Sequence, residues 1–370
     1  MQLTIERGNF LKTLGHVQSV VERRNTIPIL SNVQIEAEDG VVSLTATDLD
    51  LSIIEKTEAD VKKSGAITVP AHTMFDIVRK LPEGAQIELN LGDDNRLQVK
   101  AGRSDFHLAG LPKEDFPVMS EGDMPHKFTL SSTDLKKLID KTKFAISTEE
   151  TRYYLNGIYL HVVSDGKDLL RAVSTDGHRM ARVEIAAPKG SKGMPGVIVP
   201  RKTVGELRKL IEEFDGDIDI SLSDTKIKFT FDSTIFTSKL IDGTFPDYKR
   251  VIPTTNEKKL EVDGHVLAEA VDRVSTISTE RTRSVKFSMK KDAIVLSVNS
   301  PESGTATEEV SVSYEAEPME IGFNARYLLD ILHQIEGDTV NMELADSASP
   351  TLIRDSGDKD ALYVLMPMRV

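Results

Sequence analysis

The densest polar cluster in this chain of 370 residues is Thr175-Asp-Gly-His-Arg179. A carboxylate and an imidazole this close could exchange protons as an acid–base pair, Asp176 with His178. Asp-Gly at a strand end is more often a turn, with its polar neighbours satisfied locally. A hydrolase would also need a nucleophile, and none stands at a motif spacing. Arg152-Tyr-Tyr-Leu-Asn-Gly157 carries different chemistry. Its two rings could stack on bases while the arginine meets phosphate; equally, one buried Tyr could anchor the loop. The third candidate is the C-terminal run Tyr363-Val-Leu-Met-Pro-Met-Arg-Val370. Met366 and Met368 suit a surface that re-packs around several peptides, whereas a final core strand accounts for Val364 and Leu365.

Other chemistries drop out. There is no glycine-rich phosphate loop and no His-Glu-x-x-His, and Asp355-Ser-Gly-Asp-Lys-Asp360 lacks calcium-loop spacing. The eight histidines are scattered and cysteine is absent. Disulfides, thiolate metal sites and cysteine nucleophiles are therefore excluded. No catalytic residue, metal or cofactor is expected. Apolar content of 39% beside 28% charged residues is that of a globular protein. No apolar run approaches about 18 residues, and Met1 leads directly into strand-like Gln2-Leu-Thr-Ile5, so neither a membrane span nor a signal peptide is read. The expected compartment is the cytoplasm. A formal charge of -13 repels phosphate on average and argues against simple tight binding of nucleic acid.

The elements that position these residues recur. Gly65-Ala-Ile-Thr-Val-Pro-Ala-His-Thr-Met-Phe-Asp-Ile-Val-Arg-Lys-Leu81 reads as an apolar strand running into a short amphipathic helix. The same pattern returns from Gly196 to Ile211 and from Met319 to Ile335. A second pattern opens each third: Leu3-Thr-Ile5 before Phe10, Leu11 and Leu14; Phe128-Thr-Leu130 before Leu135, Leu138 and Ile139; Leu260-Glu-Val262 before Leu267, Ala270 and Val271. Ser131, Ser132 and Asp263 are candidate N-caps. Alternating hairpins lie between, turning at Glu38-Asp-Gly40, Ser164-Asp-Gly166 and Lys290-Lys-Asp292. The period is roughly 125 residues, the size of a domain. Each third reads as two βαβββ halves, with boundaries near 122 and 254. Basic residues recur on equivalent helices: Lys136, Lys137, Lys141 and Lys143; Arg79 and Lys80; Arg201, Lys202, Arg208 and Lys209. Any one set is an ordinary solvated face; their recurrence points to a shared positive surface.

Eight words in this order identify a family: Thr26-Ile-Pro-Ile-Leu-Ser-Asn32, Arg152-Tyr-Tyr-Leu-Asn-Gly157, Thr175-Asp-Gly-His-Arg179, Ile198-Val-Pro-Arg-Lys202, Phe236-Thr-Ser-Lys-Leu240, Phe245-Pro-Asp-Tyr248, Met319-Glu-Ile-Gly-Phe-Asn324 and Met366-Pro-Met-Arg369. Along its whole length the chain resembles the bacterial DNA polymerase III beta subunits, the sliding clamps. The resemblance implies an α+β fold built from a three-fold repeated DNA-clamp domain, at 1–122, 123–254 and 255–370. Each domain would carry two helices on an inner face and antiparallel sheets outside. Two chains would join head to tail as a homodimer ring around double-stranded DNA. The implied role is a non-catalytic processivity factor in DNA replication. Its partners would be the replicative polymerase, the clamp loader and repair proteins, docking through short tail peptides.

Matched position by position, the family's DNA-contacting residues correspond to Arg24, Arg152, Tyr153, Tyr154, Arg201 and Lys202. Its peptide pocket corresponds to Leu155, Thr175, Gly177, His178, Arg179, Met180, Pro246, Arg250, Val251, Tyr327, Val364, Leu365, Met366, Pro367, Met368 and Arg369. Its dimer contact corresponds to Arg103 and Phe106 facing Thr276, Ile277, Glu308 and Glu309. Three departures stand out: Glu149 and Glu150 precede Arg152 where relatives can carry a neutral amide, His72 replaces a basic residue, and Thr276 replaces a more apolar one. A peptide-binding scaffold of the same fold that no longer encircles DNA is the competing reading, and basic helix faces favour the clamp.

Overall fold

Where hydrophobic spacing changes from two to three-and-four within a few residues, a strand must give way to a helix. The computed structural model describes residues 1–23, 26–120, 122–278 and 283–369 and shows this change six times. Strand Gln2–Glu6 leads into α1 (Arg7–Val20), Gly65–Pro70 into α2 (Ala71–Lys80), and His126–Ser131 into α3 (Ser132–Asp140). Val197–Pro200 leads into α4 (Arg201–Leu210), Lys258–Asp263 into α5 (Gly264–Ser275), and Met319–Asn324 into α6 (Ala325–Leu332). Three strands follow each helix, giving the paired βαβββ halves, with Asp60–Lys63 and Ser313–Tyr314 as short additions.

The helix faces follow the apolar spacing. Phe10 and Leu14 of α1, Leu135, Leu138 and Ile139 of α3, and Leu267, Ala270 and Val271 of α5 are buried, while Leu11 is only half-buried. Each large side chain so buried contributes about 1.5–3 kcal/mol. Asp263 caps α5 by accepting from the Val266 N–H at 2.9 Å. Ser132 instead lies inside α3 and turns its hydroxyl to accept from the Gly216 N–H. Glu6 and Asn324 cap α1 and α6, which the sequence reading did not anticipate. The hairpin expected to turn at Ser164 runs further, from Gly157–Asp165 into Lys167–Thr175, because Gly166 alone adopts the positive φ of 75° that the turn needs.

Contacts divide the chain into two compact units that do not follow the thirds. The first comprises Met1–Thr133, Pro188–Ser191 and Lys202–Leu240. It holds a five-stranded sheet, in the order Asp60–Lys63, Gln2–Glu6, Gln86–Leu91, Arg96–Ala101 and Ser104–Ala109, and an eight-stranded sheet. Within the larger sheet Leu51–Glu58 pairs antiparallel with Thr234–Lys239. The second unit comprises Asp134–Ala187, Lys192–Arg201 and Ile241–Val370. It holds a nine-stranded sheet, in which Arg179–Ala186 pairs antiparallel with Ala361–Leu365, and a four-stranded sheet with Gly304–Ser311 at one edge. Among the described residues no helix is long and apolar enough to cross a membrane.

Candidate functional site

Period-two alternation puts every second side chain of the nine-stranded sheet on one face. Val173, Met180, Leu352, Leu362 and Val364 meet there, and Leu155, Ile198, Phe245 and Tyr248 pack against them. Tyr154, Tyr159, Ile241 and Ile252 border this cluster. Of the residues expected in the pocket, Leu155, Met180 and Val364 belong to this buried apolar cluster. Exposed Pro246, Arg250 and Val251 lie near its margin in sequence, beside Phe245 and Tyr248. Leu365 is fully buried, but it sits one residue on from Val364 and therefore faces the opposite side of the sheet. Val173 and Leu362 were missed, although each lies two residues from a motif position on its own strand; Leu352 lies on Thr351–Asp355, a strand without any motif residue, and only the sheet pairing with Val364 brings it in.

The Thr175–Arg179 loop is a turn with no spare acid. Asp176 Oδ1 accepts from the backbone N–H groups of His178 and Arg179, and its Oδ2 accepts from Arg179 Nε at 3.1 Å. Gly177 has φ of 88°, and a Cβ there would come within 2.6 Å of Arg152 Nη1. His178 is exposed and its ring stacks on Tyr327. Buried Arg179 is the hub: Nη1 donates to Asp330 Oδ2 at 2.5 Å and Nη2 to the Phe144 carbonyl at 2.7 Å. Its guanidinium also lies over the Tyr327 ring, 4.3 Å from the centroid. The chain end docks beside this loop, Met366 N–H donating to the His178 carbonyl and Met368 N–H to that of Gly322. Met366 keeps 37% of its surface exposed, two residues on from Val364 of the apolar cluster. Burial under Tyr248, with Arg171 and Lys249 nearby, pushes the His161 pKa down to about 4, so this ring is neutral in ordinary buffers.

The expected DNA-contacting residues have varied surroundings. Arg24 lies outside the described residues. Tyr153 is 53% exposed while Tyr154 packs on the apolar cluster, so the tandem tyrosines divide between the two readings. Arg152 is engaged by Glu149, with Nε–Oε2 at 2.7 Å and Nη2–Oε1 at 2.5 Å. Arg201 is exposed at the start of α4, whereas Lys202 pairs with Glu22 and Asp48. On α3 and the turn after it the positive face is smaller than the sequence suggested. Lys137 pairs with Asp358 and Asp360, and Lys141, only 5% exposed, donates to Glu336 and the Gln334 carbonyl. Arg79, Lys80, Arg208 and Lys209 stand in the last turns of α2 and α4, where the helix dipole favours cations. His72 is held between Gln18 Oε1 and the Val21 carbonyl. Because Glu149 neutralises Arg152, Glu149→Gln should strengthen direct duplex binding and steepen its log–log salt slope by about 0.9. Anisotropy titrations over a salt series check this, and an unchanged slope would show that Arg152 does not meet phosphate.

Three family models match the chain in succession. They are the DNA polymerase III beta subunit N-terminal domain over residues 1–120, its central domain over 129–247, and its C-terminal domain over 249–369. The chain belongs to the DNA polymerase III beta subunit family. The beta sliding clamp of Caulobacter vibrioides is 55% identical over 372 residues, covering all of both chains. That of Escherichia coli K12 is 39% identical over 373 residues, again covering all of both. Among solved structures, a Bartonella birtlesii sliding clamp bound to griselimycin superposes with a TM-score of 0.98 at 54% identity, covering both chains completely. As a beta subunit, the chain is a non-catalytic processivity clamp of DNA polymerase III. Its three-domain architecture is that of the sliding clamps, which accounts for the repeats without any catalytic constellation.

Proposed function

We propose that two copies of this chain close head to tail into a ring around duplex DNA, and that a groove over the apolar cluster, with the cluster as its floor, tethers polymerase, loader and repair proteins by their tails. The carrying observation is an unfinished pairing. The fourth strand of the first domain, Leu51–Glu58, pairs with the last strand of the second, Thr234–Lys239. The fourth strand of the second domain, Arg179–Ala186, pairs likewise with the last of the third, Ala361–Leu365. The corresponding pair is Gly304–Ser311 and Ser104–Ala109, and each is the edge of its own sheet. Exposed edges invite strand addition. Joining these two across copies is a head-to-tail contact that closes into a ring after two copies, with the same junction at both seams.

The seam residues fit this reading. Phe106 lies half-buried on the first edge, with Arg103 in the turn before it. Glu308 and Glu309 lie on the second edge, near Thr276 and half-buried Ile277 after α5. Domain limits of 1–122, 123–254 and 255–370 are supported by the spans of the three family models. The DNA-facing set is Arg24, Arg152, Tyr153, Tyr154, Arg201 and Lys202, and the compartment is the cytoplasm, where the replication machinery works. Sedimentation equilibrium should give twice the chain mass. Ile277→Asp should shift it to the monomer, since burying an unpaired carboxylate costs several kcal/mol. An unsubstituted protein that stays monomeric at high micromolar concentration would refute the ring.

A further inference from the structure

Beside the groove floor, on the same face of the nine-stranded sheet, runs a row of different chemistry. Register places Val173 opposite Arg182 and Arg182 opposite Leu362. Arg354 lies two residues beyond Leu352 on the next strand, whose pairing with Val364 sets Arg354 beside Leu362. Two guanidiniums thus flank Leu362 about 10 Å apart at the backbone, two strand spacings. Leu362 itself is buried within the apolar cluster, with the two arginines on the strands to either side.

Among the described residues each arginine meets a carboxylate only at long range. Arg182 Nη2 is 3.8 Å from Glu184, which is engaged at 2.6 Å by Arg171. Arg354 Nε is 3.8 Å from Glu343. Arg182 is only 14% exposed, and its Nε is buried with no hydrogen-bond partner among the described residues. Burial depresses its pKa against the pull of Glu184, and Arg171 and Arg354 add to the depression. Three guanidiniums therefore face two carboxylates in a half-desolvated row, where one more anion would be held by charge-assisted hydrogen bonds. Arg354 is 39% exposed, and a surface cleft of about 520 Å³ beside it leaves a path in, its charged lining balanced between Lys259 and Lys359 on one side and Glu261 and Glu343 on the other.

We propose that Arg182 and Arg354 form a carboxylate subsite for an aspartate or glutamate side chain of the docked partner tail, two residues from its apolar anchor. This rests on the groove being the partner site. The spacing selects this occupant: the arginine row lies one alternate position, about 7 Å, from the row of Met180, Val364 and Leu352, and side chains alternate at that distance along an extended peptide. A peptide lying along the strands with an apolar anchor on the floor sets its next same-side residue over the arginines. Arg182 and Arg354 thus select among tails with similar apolar anchors.

The test is fluorescence anisotropy with a short amidated fluorescein peptide carrying paired leucines and one aspartate two residues away, against the same peptide with asparagine. The aspartate peptide should bind about tenfold tighter, the worth of one charge-assisted contact. That preference should vanish in Arg182→Gln/Arg354→Gln, with asparagine-peptide affinity unchanged. Arg354→Gln alone, at a partly exposed position, should lose most of the preference and keeps the test decisive if Arg182→Gln fails to fold. Equal binding of both peptides would overturn the subsite and leave the groove standing. Binding of neither would overturn the groove as well. If a free C-terminal carboxylate gives the gain and the aspartate does not, the side-chain assignment is wrong.

Discussion

Labelled protein closed on nicked circular DNA by a loader should stay with the circle through gel filtration at moderate salt, and should leave when the circle is cut. Blocking the ends of the cut DNA should restore retention. The reason is electrostatic. A chain of formal charge -13 repels the duplex on average. Several basic residues that could offset this are engaged within the fold: Arg152 by Glu149, Lys202 by Glu22 and Asp48, Lys137 by Asp358 and Asp360. Counterion release supplies most non-specific affinity, and few phosphate contacts remain to supply it. Direct binding should therefore be weak and salt-sensitive, while a closed ring needs no affinity to stay on a circle. Weak contact also lets the ring slide. The measurement is the retained fraction before and after linearisation. No loss from unblocked ends would make the protein an ordinary DNA binder.

Arg179→Ala should be the most damaging single substitution near the groove, lowering unfolding free energy by about 3 kcal/mol, the lower end of the range for breaking a buried pair. Arg179 is 8% exposed and joins Asp176, Asp330 and the Phe144 carbonyl while covering the Tyr327 ring. Its removal leaves Asp176 and the carbonyl without their charged partner; Asp330, about a third exposed, can turn to water, which sets the effect at the lower end. The turn would then loosen, and with it the His178 carbonyl that receives the Met366 N–H. Peptide binding should fall in parallel. Arg179→Lys should fall between, since an ammonium keeps the charge and loses the planar fork. Urea midpoints at constant m-value measure the change. A loss below about 1 kcal/mol would mean that this network adds little to stability.

The sequence by itself determined the elements and their repetition. Changes of hydrophobic period are local, so all six strand–helix words were legible, as were the buried faces of α3 and α5 and the turn at Asp176-Gly177. The family motifs, read in order, carried the processivity function. What only the tertiary structure decided was the fate of charges and faces. Lys137 and Lys141 read as members of a positive helix face, yet their partners lie 193 to 223 residues away, a pairing no local pattern contains. Leu365 belongs to a motif but turns from the groove, because alternation is set by register against Arg179–Ala186 and not by membership of a conserved-looking word. Arg182 and Arg354 are unremarked in sequence, 172 positions apart; two antiparallel pairings place them on either side of Leu362. Edge strands, too, exist only once a sheet is assembled, since an unpaired backbone is a property of neighbours and not of the strand itself.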